Sequence, residues 1–132
     1  MIDETTKNDI LAAVAAGFDQ QLAFTQDLVR FPSVRGQEKG EQEFIYKALS
    51  KRHYEMDRWA IDIHEIADHP GFSPVTVSYA NAINVVGSHH PRKAVGRSLI
   101  LNGHIDVVPE GPLDMWRDPP YDPRIEGDWL YG

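Results

Sequence analysis

The sequence predicts an α/β fold built on a mostly parallel mixed sheet, and three observations point there. The run from Ser98 to Leu101 is apolar after its first residue and leads into Gly103, the pattern of a strand buried on both faces. Two long segments, Asn8 to Val29 and Glu41 to about His53, carry apolar residues near helical spacing. Between those helices and that strand lie several short runs with strand character, bounded by Gly and Pro.

In chain order, Ile10, Leu11, Val14, Phe18, Leu22, Leu28 and Val29 define the apolar stripe of a first helix over Asn8 to Val29. Pro32 disfavours helical backbone at Phe31 and ends it. Gly36 and Gly40 bracket a polar loop, after which a second helix buries Phe44, Ile45, Ala48 and Leu49. His53 falls in its last turn, where a cation complements the helix dipole. Trp59, Ile61 and Ile63 alternate with polar residues as in a half-exposed strand, and Asp68 to Pro74 is a loop. Thr76 to Tyr79 and Ile83 to Val86 read as further short strands, with a polar turn at His89 to Lys93. From Pro109 to Pro123 the proline density excludes regular helix. Ile125 to Tyr131 reads as a hairpin turning at Gly127-Asp128.

The chemistry gathers just past the buried run, in Asn102-Gly103-His104-Ile105-Asp106-Val107-Val108-Pro109. In open α/β sheets the carboxyl ends of strands form the rim where ligands bind. Residues two apart in extended backbone point the same way, so His104 and Asp106 share one side of that rim. A carboxylate that accepts one ring N–H of an imidazole fixes the tautomer and leaves the other nitrogen for a metal. The same tripeptide also serves as a plain turn contact with no chemistry.

The flanking residues favour the metal. Asn102 to Pro109, then Gly111-Pro112, Trp116, Asp118-Pro119-Pro120-Tyr121-Asp122-Pro123 and Glu126-Gly127-Asp128-Trp129-Leu130-Tyr131-Gly132, resemble the M20 family of metallopeptidases and amidohydrolases. The resemblance extends upstream to Leu28-Val29-Arg30-Phe31-Pro32-Ser33-Val34 and Glu38. It implies that residues 1–132 are the N-terminal part of a catalytic domain, a partial three-layer αβα zinc-peptidase-like fold. It implies that His104 binds one of two zinc ions, with cobalt an alternative metal, and that Asp106 is the catalytic-site residue that orients it. The family's metal-bridging aspartate, its Glu-Glu pair with the general base and its smaller inserted domain match no residues here. This chain alone is therefore expected to be inactive. For the full-length protein the resemblance implies metal-activated hydrolysis of N-acyl amino acids of the acetylornithine or succinyl-diaminopimelate type. Alternatives are an M20 dipeptidase or carboxypeptidase acting on short peptides, or a truncated interaction module without catalysis. A homodimer of the full-length protein is a further expectation.

Composition narrows the classes. With 132 residues, 42% of them hydrophobic, the chain has material for one modest core and not for two domains. A net charge of −7 argues against nucleic acid, whose phosphates need a basic surface. Without cysteine there are no disulfides or thiolate sites, leaving any metal to His, Asp and Glu. No apolar run approaches membrane-spanning length and no leader-like segment opens the chain, so no membrane partner and a cytoplasmic location are expected.

The remaining candidates read as structural. His89 and His90 are adjacent and point to opposite faces of an extended segment. His64 and His69, with Glu65 and Asp68 near, lack a helix to align them. Trp116, Tyr121 and Trp129 could line a substrate pocket, but such residues more often pin a proline-rich loop to its domain.

Overall fold

The computed structural model describes residues 2–132. It is a mixed helix and strand structure in two compact units, residues 2–31 with 110–132 and residues 32–109.

The first unit opens with helix α1, Glu4–Ala16, whose N-cap Asp3 accepts the Thr6 backbone N–H at 2.8 Å and the Thr6 hydroxyl at 2.9 Å. The single helix expected over Asn8 to Val29 is two. Gly17 caps α1, its N–H returning to Ala13 O at 3.0 Å, and α2 runs Phe18–Val29. The apolar stripe continues across Gly17, so periodicity alone does not reveal the break. Glycine weakens helix by about 1 kcal/mol relative to alanine, enough to place it there. Past α2 the Phe31 N–H closes onto Leu28 O and Pro32 follows, as its stiff ring requires.

The rest of this unit is the proline-rich stretch and a hairpin. One 3₁₀ turn, Leu113–Met115, interrupts the loop. Strands β3, Arg124–Glu126, and β4, Trp129–Tyr131, pair antiparallel with Ile125 opposite Leu130. The turn falls at Gly127-Asp128 as expected, and Gly127 supplies the positive φ of 60°. Arg117 and Arg124 bridge Asp118 and Glu126 beside it, with 2.7 Å from Arg117 Nε to Asp118 and 3.0 Å from Arg124 to each carboxylate. Arg117 also pairs with Glu126. These guanidinium groups hold both carboxyls below their usual range.

In the second unit helix α3, Lys39–Lys51, packs on a two-stranded antiparallel sheet. Strand β1, Glu55–Ala60, pairs with β2, Ile83–Ser88, from Glu55 opposite Ser88 to Ala60 opposite Ile83. The sheet approaches the helix closely at Gly87, where a Cβ would stand 3.1 Å from Leu49 Cδ1 and 3.3 Å from Tyr54 Cδ1. Arg58 of β1 reaches Glu43 of α3 at 2.7 Å and lies over the Tyr46 ring at 4.6 Å.

Three expectations are corrected in this unit. The first strand begins at Glu55 and ends at Ala60, and Ile63 opens the short helix α4, Ile63–Ile66, capped by Asp62. Thr76 to Tyr79 forms no strand. Nor does Ser98 to Leu101, where Leu99, Ile100 and Leu101 are 80, 88 and 87% exposed. A strand buried on both faces needs neighbours on either side, and the described residues supply none. The only parallel pairing among them is a single bridge between Val34 and Val107.

Helix α3 does not hold His53 in its last turn either. His53 lies one residue past the C-cap Arg52 with φ of 62°, the left-handed position usually taken by glycine. Its N–H bonds Ser50 O at 2.9 Å and the Tyr54 N–H bonds Leu49 O at 3.3 Å, the paired bonds of a Schellman motif. The turn is needed to send the chain back into β1, and histidine adopts it at a steric cost.

The most buried side chains of this unit include two polar ones. Ser33 is 1% exposed and Glu41, in the first turn of α3, is 6% exposed. Burial pushes the Glu41 carboxyl above its ordinary range, opposed by its contact with the Ser33 hydroxyl.

Two outcomes follow for stability. His53→Gly raises the unfolding free energy by about 0.5–1 kcal/mol, the left-handed strain relieved less the extra freedom of glycine in the unfolded chain. A urea midpoint at or below that of the parent protein would refute this. Because the Glu41 pKa is raised on folding, its unfavourable contribution is absent in acid and grows as pH rises through the folded value. Glu41→Gln, which does not titrate, should therefore match the parent near pH 4 and exceed it near pH 8. Equal midpoints at both pH values would show that burial does not strain the carboxylate.

Candidate metal-ligand site

The candidate residues lie in the second unit on residues 103–107, an extended segment held from one side. Ser33 Oγ donates to Ile105 O at 2.7 Å, and the Val107 N–H donates to Ser33 O at 3.1 Å. The Val107 bond belongs to the Val34–Val107 bridge, and the hydroxyl bond spans 72 residues of sequence between Ser33 and Ile105.

On that segment His104 Nδ1 stands 2.9 Å from Asp106 Oδ1 and 3.2 Å from the Asp106 carbonyl oxygen. With the ring proton on Nδ1, the imidazole donates to the carboxylate and Nε2 keeps its lone pair. The His104 side chain is 83% exposed and that of Asp106 41%. The free ring edge is thus open to an incoming ligand. A single imidazole does not hold a metal ion unaided, and no group of three or more His, Cys, Asp or Glu suited to a metal occurs among the described residues. The pair fits one ligand position with its orienting carboxylate.

Around it is an open cavity of about 250 Å³, bordered by Arg35, Glu38, Tyr79 and Asn84 as well as His104 and Asp106. Glu38 is occupied locally: its Oε1 accepts the Gly36 N–H at 2.8 Å, closing a turn in which Gly36 has φ of 94°. The sequence marked Glu38 only as a landmark and missed what Ser33 holds, because the partners of a hydroxyl lie far along the chain. Arg35 and Tyr79 carried no motif and came to the cavity through loops.

The other histidines do not converge. His90 pairs with Glu55 at 3.4 Å, and His89 lies 5.9 Å from the Tyr54 ring. His69 Nδ1 accepts the Gly71 N–H at 3.0 Å, and His64 caps nothing but has its own N–H bound by Asp62. In the first unit Trp116 Nε1 donates to Glu110 O at 2.8 Å and the Tyr121 hydroxyl to Glu110 Oε2 at 3.1 Å. Those two rings tether the proline-rich loop to one residue at its start, while Trp129 stands exposed on β4.

No protein-family model matches the chain. Among curated proteins it is 32% identical over 111 residues to a succinyl-diaminopimelate desuccinylase of Ralstonia nicotianae, covering 84% of this chain and 26% of that protein. It is 33% identical over 111 residues to one of Dinoroseobacter shibae, 84% of this chain and 24% of that protein. A third, of Ectopseudomonas mendocina, is 32% identical over 110 residues, 83% and 23%. The chain spans about a quarter of the length of the curated relatives it matches. Among the described residues no helix is long and apolar enough to cross a membrane. With the ordered motifs from Leu28 to Gly132, this similarity to desuccinylases establishes that the chain belongs to the M20 family of metallopeptidases and amidohydrolases.

Proposed function

We propose that these residues serve a zinc-dependent amidohydrolase that removes the acyl group from N-acyl amino acids of the succinyl-diaminopimelate kind. The observation that carries the reading is the 2.9 Å contact of His104 Nδ1 with Asp106, which leaves Nε2 unengaged by that carboxylate on a residue bordering an open cavity, in a chain about a third identical to desuccinylases over 111 residues. His104 would provide one metal ligand through Nε2. The rest of the ligand set and the general base would come from residues outside these 132.

In the whole enzyme the exposed Leu99-Ile100-Leu101 run would be an inner strand of a three-layer αβα domain with a mostly parallel sheet. Its exposure favours this, since three consecutive large apolar side chains left in water lose on the order of 1.5–3 kcal/mol each relative to burial. The same exposure would suit an interaction module covered by a partner, and activity of the natural protein separates the two.

The chemistry assigned to this chain is ligand positioning. A bound metal would supply an acidified water and a Lewis acid for the scissile carbonyl. Asp106 accepts the Nδ1–H, fixes the tautomer, restrains ring rotation and makes Nε2 a better donor. Its carboxylate also balances part of the positive charge that the imidazole shares on ligation.

In the natural full-length protein, Asp106→Ala should lower both zinc affinity and kcat/KM for an N-succinyl amino acid by about 10- to 100-fold with the circular dichroism spectrum unchanged. Turnover equal to the parent at limiting zinc would remove Asp106 from this role. If the parent hydrolyses no N-acyl amino acid with zinc supplied, the substrate class is wrong.

A further inference from the structure

We propose that Ser33 is a positioning residue for the His104–Asp106 pair, clamping the backbone on both sides of Asp106. The inference rests on the reading that His104 ligates a metal, and it adds a residue from a distant part of the chain.

Little besides Asp106 holds the imidazole. Its recorded hydrogen bonds among the described residues go to Asp106 alone, and its side chain is 83% exposed. Packing therefore does little to aim the ring. Its direction depends on the backbone from 104 to 106 and on the Asp106 rotamer.

Ser33 acts on that backbone at two points. The Ile105 carbonyl that accepts from Ser33 Oγ belongs to the peptide plane joining residues 105 and 106. The Val107 N–H that bonds Ser33 O belongs to the plane joining residues 106 and 107. One residue thus fixes both peptide planes flanking Asp106 and, through them, the two soft dihedrals that place its carboxylate. The clamp is itself buried: Ser33 is 1% exposed, and its hydroxyl proton goes to Ile105 O. Close packing restricts the side-chain rotamer and so steadies the hydroxyl bond, while the Val107 bond is made by the Ser33 backbone. Without the hydroxyl, the Ile105 carbonyl would turn toward water and the plane it belongs to would turn with it.

The test uses the natural full-length protein and measures zinc affinity by competition with a chelator, alongside kcat and KM for an N-succinyl amino acid. Ser33→Ala should weaken zinc by about 10-fold and lower kcat with KM little changed. Ser33→Thr, which keeps the hydroxyl, should recover most of both. In a His104→Ala background Ser33→Ala should cost no further zinc affinity, which a general loss of stability would not reproduce. Should the alanine variant fail to fold, Ser33→Cys keeps the volume, weakens the donor and should show a several-fold loss. Parent-like zinc affinity in Ser33→Ala or Ser33→Cys, while His104→Ala loses a zinc equivalent, would overturn the role of Ser33 and leave the metal reading standing. Full zinc occupancy in His104→Ala would overturn the metal reading itself and this inference with it.

Discussion

A buried hydroxyl has to find a partner, because leaving it unpaired away from water costs about 1–3 kcal/mol. Ser33 meets that requirement at Ile105, and the candidate site depends on it doing so. The segment bearing His104 and Asp106 belongs to no sheet among the described residues, so no ladder of hydrogen bonds sets its course. Its place is set by the Ser33 contacts and the adjoining Val34–Val107 bridge. A polar residue in the interior thereby does what a neighbouring strand does in a complete sheet.

The base for that contact is α3 with its antiparallel pair. The left-handed turn at His53 sends the chain from the helix into β1, and Gly87 lets β2 lie against Leu49 and Tyr54. Glu41 on the first turn of α3 meets Ser33, while Glu38 just before it shapes the loop through Gly36. The helix start therefore organises the same short loop that grips residues 105–107. Local capping and long-range positioning share a few side chains here.

The chain spans about a quarter of the length of its curated relatives, and within it regular elements alternate with long irregular segments. Helices and hairpins close their own hydrogen bonds and form wherever local sequence favours them. Leu99 to Leu101 forms no strand and its side chains remain exposed. The hairpin at Gly127, the helix end before Pro32 and the absence of α-helix between Pro109 and Pro123 were legible because each follows from the backbone limits of one residue type. The break at Gly17 was not, since the apolar stripe passes through it without a change of phase.

The sequence by itself determined the pairing of His104 with Asp106, for residues two apart in extended backbone share a side and their groups meet within 2.9 Å. It also settled that these 132 residues offer no thiolate, since they contain no cysteine. Only the tertiary structure decided that Ser33, 72 residues before Ile105, holds that pair's backbone, and that Arg35 and Tyr79 border its cavity. Side-chain direction is a local consequence of dihedral angles, whereas the partner of a buried hydroxyl depends on how distant segments meet in space, and no local pattern encodes that meeting.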